Sequence, residues 1–320
     1  MTRLNVMLAI GIVLVAALSV ASGKVWVPLD AWTAADPRSI IIVELRLPRT
    51  LLGLLVGAAL GLSGAVMQGY LRNPLADPGL FGVSSGAALG AVLSLYFGYA
   101  AQAWLLPAFA LAGAAGTMAL LALIAGRSGS LILFTLAGMI LTSIAGSLTA
   151  LAISLAPTPF VSSQIVTWLM GALTDRSWDD ITVALPLIAI GAILLATTAR
   201  ALDALTLGEQ AARSMGVDPG RLQAVVIAGI ALTVGASVAS AGVIGFVGLM
   251  VPHLVRPLAR SRPSAILLPS ALGGALLLTL ADSLVRLAPT VSELRLGIAM
   301  SMLGGPFFLW LLIRMRRKLA

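Results

Sequence analysis

The chain has no cysteine, a single histidine (His253) and only two lysines, Lys24 and Lys318, in 320 residues. Without cysteine there are no disulfides, no thiolate metal sites and no cysteine nucleophile. One histidine cannot supply an HExxH zinc site, and neither lysine stands in a GxxxxGK[ST] loop, so no P-loop for hydrolysing a nucleotide is encoded here. Charge is scarce as well: Asp, Glu, Lys and Arg together make up 10 %, against about 25 % in a typical soluble domain.

What remains is apolar. Hydrophobic residues are 59 % of the chain and the mean hydropathy is +1.06, as in a polytopic membrane protein. A helix crosses the hydrocarbon layer of roughly 30 Å with about 20 residues, and only helices or closed barrels satisfy their backbone groups there. The apolar runs are too long for barrel strands, so the fold is all-α. They lie near 4–22, 50–71, 79–100, 104–126, 131–155, 181–199, 222–241, 243–258, 264–285 and 296–313, which predicts ten spans in one transmembrane domain over 1–320. The run 243–258 is the least secure, because Gly235, Gly242, Gly245 and Gly248 interrupt the pattern; nine or eleven spans are the alternatives.

Charge orients the spans. With the N-terminus inside, the inner segments hold Arg3, Arg72, Arg127, Arg200, Arg213, Arg221, Arg256, Arg260, Arg262, Arg314, Arg316, Arg317 and Lys318. The outer ones hold only Lys24, Arg38, Arg46, Arg49, Arg176, Arg286 and Arg295, as the excess of inner basic residues in membrane proteins asks. Both termini are therefore expected in the cytoplasm. The formal charge of +8 follows from this topology and implies no nucleic-acid partner. Arg3, the apolar stretch after it and Ala21-Ser22-Gly23 also fit a secretory signal peptide, but the basic tail RMRRKLA pairs better with an even span count.

Charge is nearly absent from within the spans, so no proton relay is visible. Small residues take its place. Gly53, Gly57 and Gly61 recur every fourth position, and Gly64, Gly69, Gly113, Gly116 and Thr117 add to the pattern. Such ridges let helix backbones approach closely; the other reading is a wide, weakly polar path for a bulky solute. The break Arg72-Asn73-Pro74-Leu75-Ala76-Asp77-Pro78 carries two prolines that bias their neighbours away from helix. It reads either as a rigid reversal or as a gate with Leu75 as its plug. A second polar segment, Leu207–Gly220, holds a short helical core with Glu209 and Arg213 at i, i+4 and Gly216 as its stop. This predicts a cytoplasmic helix that either connects spans or docks a soluble partner. His253, after Pro252 near a span end, reads as a polar anchor.

These motifs, in this order, carry a resemblance. RLPRTLLGLLVGAALGLSGAVMQ, RNPLADPGLFGVSSGAALG, LGEQAARSMGV, AGVIGFVGLMVPHLVR, ADSLVR and ELRLGIAMSMLGGPFFLWLL resemble the FecCD family, the permease subunits of ATP-binding-cassette (ABC) importers for iron-siderophores, haem and cobalamin. The resemblance implies type II importer architecture in a bacterial inner membrane, with about ten helices per subunit. It implies a second permease subunit in a homodimer, two ABC ATPase subunits and a periplasmic substrate-binding protein. ATP and Mg would sit on the ATPase, with no cofactor on this chain. The helix at about 207–218 would couple to the ATPase through Gly208, Glu209, Arg213 and Gly216. Asn73 and Leu75 would form the cytoplasmic gate, and Arg46, Arg49 and Arg286 would meet acidic residues of the binding protein. Lipid-headgroup anchoring is the alternative for these arginines, and Arg295 departs from the proline common after the family's Glu-Leu pair. An ion-coupled secondary transporter is the alternative function; it would need a charge at mid-membrane depth.

Overall fold

The computed structural model describes residues 2–23, 25–32, 36–126, 130–259, 262–288 and 293–319. Lys24, Arg127 and Arg260 of the charge pattern lie outside them. Among the described residues there is no strand, and thirteen α-helices follow one another. They are α1 (Thr2–Ala21), α2 (Leu47–Tyr70), α3 (Val83–Tyr96), α4 (Leu105–Ala125), α5 (Leu131–Ser154), α6 (Pro159–Leu169) and α7 (Trp178–Thr197). After these come α8 (Ala199–Leu205), α9 (Glu209–Ser214), α10 (Pro219–Ala241), α11 (Val247–Val255), α12 (Pro263–Leu287) and α13 (Leu296–Leu319).

Each of the ten apolar runs became a helix, but two are shorter than expected. Eight helices are long and apolar enough to cross a membrane; α3, with 14 residues, and α11, with 9, are not. At 1.5 Å per residue, α11 covers only about 14 Å. Gly82, at φ +89°, starts α3 late, after a 3₁₀ turn over Pro78–Phe81 has used the first part of the run. α11 starts late because Gly242 (φ +70°) ends α10 and Phe246 (φ +69°) turns the chain again. Between them, residues 242–246 run without a helical ladder. α6 was not expected; Thr158 caps it and Pro159 opens it, where fixed φ and a missing donor suit a helix start.

α2 is the central helix, packed against α12, α11, α10 and α7. Its glycines explain how. A Cβ on Gly57 would lie 2.3 Å from the Gly274 carbonyl oxygen, one on Gly61 2.1 Å from that of Ser270, and one on Gly64 1.9 Å from that of Gly248. The ridge is therefore a packing surface, with α12 along two turns and α11 at the third. Gly86 and Gly113 join α3 to α4 in the same way, whereas a Cβ on Gly116 meets nothing within 4 Å. The ridge reading holds for all of these but Gly116.

The bundle has two distinct ends. One gathers the α2–α3 turn, α8 and α9, where Asp203 of α8 accepts from the Ser264 backbone N–H (2.9 Å) and hydroxyl (2.6 Å) and so satisfies the start of α12. The opposite end gathers the α1 and α12 C-termini, the π-helical segment Ile41–Arg46 and the start of α7, where the Trp178 indole donates to the Val43 carbonyl at 3.1 Å.

Candidate functional site

At the α9 end, the α2–α3 turn is built by its own side chains. Asn73 Oδ1 accepts from the Leu75 N–H at 3.0 Å and Asp77 Oδ1 from the Gly79 N–H at 2.8 Å. Each polar residue thus closes a local turn, and Pro74 and Pro78 remove two donors that would otherwise need partners. Burial pushes the Asp77 carboxyl above its usual range, against the opposing pull of the Gly79 N–H. Asn73 spends its acceptor inside the turn. Leu75 instead lines a cavity of about 450 Å³ with Asp77, Ser84, Ser85, Phe246 and Phe308. The string Gly82-Val83-Ser84-Ser85-Gly86 spells GxSxG, yet it follows no strand and the one histidine does not line its cavity, so it is no nucleophile elbow.

α9 stands beside this turn. Its predicted stop is observed: the Val217 N–H donates to the Ala212 carbonyl and the Gly216 N–H to that of Arg213, both at 3.0 Å, with Gly216 at φ +86°. That is a Schellman close, which a side chain at Gly216 would strain. Gly208, at φ +100°, enters the helix from the other side. The predicted Glu209–Arg213 pair is corrected: Glu209 Oε1 pairs with Arg72 Nη2 at 3.1 Å, leaving Arg213 exposed and without a partner among the described residues. Arg72, itself at φ +51°, opens the α2–α3 turn, so one ion pair joins that turn to α9. Beside Met215 and Gly216, a cleft of about 670 Å³ presents Arg200 and Arg221.

At the opposite end, the three predicted docking arginines come together, but they point inward. Arg46 donates to the carbonyls of Val20 (3.1 Å), Ala21 (2.9 Å) and Val25. Arg49 grips Asp282 at 2.9 Å and Glu293 at 3.0 Å, and Arg286 pairs with the same Asp282 at 3.1 Å while donating to the Ser19 and Ser22 carbonyls. The Arg49 side chain is 11 % exposed and that of Arg286 4 %. The three arginines implied to meet the binding protein thus have partners within the chain itself. A buried cation needs a partner or it costs several kcal/mol, on the order of 3–5 when one partner is taken away, and α1 with the residues just after it, Asp282 of α12 and Glu293 ahead of α13 supply those partners. Asp282 neutralises both Arg49 and Arg286, and Glu293 adds to Arg49, from 233 and 244 positions further along the chain than Arg49. His253 sits edge-on to Phe307 with ring centroids 6.0 Å apart.

Residues 10–314 match the FecCD transport family. The chain belongs to that family. Among FecCD relatives, the vitamin B12 import system permease protein BtuC of Shigella boydii serotype 18 is 40 % identical over 303 residues, 94 % of this chain and 91 % of that protein. BtuC of Salmonella typhimurium is 38 % identical over 312 residues, covering 97 % and 94 %. A solved metal-chelate type ABC transporter in an inward-facing conformation superposes with a TM-score of 0.87 at 31 % identity, covering 98 % of this chain and 99 % of that one. Membership in FecCD and the apolar helices make this a multi-pass permease of the inner membrane.

Proposed function

We propose that this chain is one of two identical permease subunits of an ABC importer that carries a corrinoid, as its BtuC relatives are named for, from a periplasmic binding protein into the cytoplasm. The carrying observation is the ion pair that ties α9 to the α2–α3 turn at the mouth of an apolar cavity. α9 is the coupling helix. Gly208 and Gly216 set its two ends, Arg213 offers an exposed guanidinium with no partner among the described residues, and the cleft beside it seats an ATPase subunit that holds ATP and Mg. Closure of two ATPases would move α9, and Glu209 would carry Arg72 and the turn with it, shifting Leu75 across the cavity mouth while Asn73 keeps the turn in shape. That is rigid-body switching between two states to which ATPase and binding protein bind with different affinity. Both termini would then lie in the cytoplasm, with α9 on the inner side and the arginine cluster on the outer.

The binding protein would seat at the arginine-cluster end. Arg46, Arg49 and Arg286 hold the frame of that seat, since their donors already serve α1 and α12; a carboxylate from the partner would reach Arg49 by replacing Glu293, whose side chain is 24 % exposed. The metal-chelate transporter of like fold favours a second substrate reading, a ferric chelate.

Reconstituted in liposomes with its ATPase and binding protein, the complex is expected to hydrolyse ATP faster when the binding protein carries cobalamin. Stimulation by a ferric siderophore alone would move the substrate to iron chelates, and stimulation by neither would overturn both readings. In the same liposomes, Glu209→Lys combined with Arg213→Glu is expected to abolish uptake while basal hydrolysis continues. Uptake still fully coupled in that double variant would remove the coupling role from α9.

A further inference from the structure

The inference that follows rests on the importer reading, which supplies the direction of travel through the bundle. Two cavities lie along one face of α13. Gly297 and Ser301 line an outer one of about 520 Å³, and Phe308 lines the inner one of about 450 Å³ beside the α2–α3 turn. The spacing of these residues keeps them on a single stripe of the helix. Val243 and Gly245, in the unladdered link between α10 and α11, line both cavities. That link is therefore their common wall.

Between Ser301 and Phe308, on the same stripe, stands Gly304. A Cβ there would lie 2.1 Å from Phe246 Cγ, so the aromatic ring is seated on bare α13 backbone between those two residues of the stripe, and it forms part of the inner cavity's lining. Phe246 holds this position at φ +69°, a region that residues with a Cβ avoid. Such strain persists only where the surroundings enforce it, and it gathers at moving parts. The surroundings here include the gate turn: a Cβ on Gly248, two residues further on, would lie 3.1 Å from Pro78 Cδ and 3.4 Å from Asp77 Oδ2. Moving the turn therefore displaces the start of α11 and, with it, the seat of the ring.

We propose that Phe246, seated on Gly304, is a second gate that closes the path between the outer and inner cavities and moves with the α2–α3 turn. It positions the wall and does no chemistry. Its role differs from that of Leu75, which closes the inner mouth; a substrate would pass Phe246 first and Leu75 second.

The absence of cysteine makes the test direct. Single Ser301→Cys and Ser85→Cys substitutions place one thiol in the outer and one in the inner cavity, on an otherwise thiol-free chain. In the assembled importer in oriented liposomes, a membrane-impermeant maleimide added outside is expected to label Ser301→Cys and to spare Ser85→Cys. Adding Phe246→Gly, which suits a positive φ, is expected to raise outside labelling of Ser85→Cys about tenfold, equal to a barrier lower by about 1.4 kcal/mol. Gly304→Ala keeps the aromatic ring on the chain but forces it off its seat, and is expected to raise that labelling in the same way. Unchanged labelling in both variants overturns the gate while leaving the importer reading intact. So does a Ser85→Cys thiol that reacts from outside as fast as Ser301→Cys before Phe246 is touched. A Ser301→Cys thiol that reacts only from the inside would instead overturn the direction of travel.

Discussion

Asp282→Ala is expected to destabilise the folded permease by about 3–5 kcal/mol, the cost of removing one partner from a buried ion pair. The Asp282 side chain is 2 % exposed and serves two cations at once, Arg49 and Arg286. Arg49 would keep Glu293, but Arg286 would keep only neutral acceptors on Ser19 and Ser22. The loss would fall on the junction of α1, α2 and α12. Thermal unfolding of the detergent-solubilised protein measures it. Because the cost comes from the stranded guanidinium, Asp282→Ala combined with Arg286→Leu should recover a good part of the stability lost by Asp282→Ala alone. A double variant that loses the sum of the two single effects would show that the pair is not coupled.

Gly64→Ala should be nearly as damaging although it adds only one methyl. Overpacking a tight core costs about 1–3 kcal/mol, occasionally more. Here the new Cβ would lie 1.9 Å from the Gly248 carbonyl oxygen and 2.5 Å from its Cα. Backbone cannot rotate away as a side chain can, so α2 and α11 would have to separate, and α11 borders the α2–α3 turn. Gly116→Ala is the matched control, because its Cβ would meet nothing within 4 Å and alanine is favoured over glycine in a helix by about 1 kcal/mol. The expected order in unfolding temperature is Gly116→Ala at or above wild type and Gly64→Ala well below. Equal behaviour of the two would refute the packing account of the α2 ridge.

The properties readable from the chain alone were those carried by neighbours in sequence. Apolar runs marked all ten apolar helices, and Gly216 marked the end of α9, because a left-handed residue there is a local demand. What escaped was set by distant partners. Arg49 meets Asp282 across 233 positions and Arg72 meets Glu209 across 137, so no spacing rule could show that the first neutralises a presumed docking arginine or that the second displaces the Glu209–Arg213 pair. α6 escaped because its eleven residues are too few for a span and too apolar to look like a loop. The family resemblance pointed to Asn73 and Leu75 together, but their physics differs: one closes a turn and the other faces a cavity.

The break between α10 and α11 has one more consequence. From Val243 to Phe246 no backbone N–H meets an acceptor within the described chain. Such donors cannot be left bare in hydrocarbon, so the link forms a polar seam that must border a cavity, and Val243 and Gly245 each line two. The side chains along that seam are those of Val243, Ile244, Gly245 and Phe246, with no charge among them. A bare ion there would shed its hydration shell and find no counter-charge on the link. The break thus offers hydrogen bonds without offering charge.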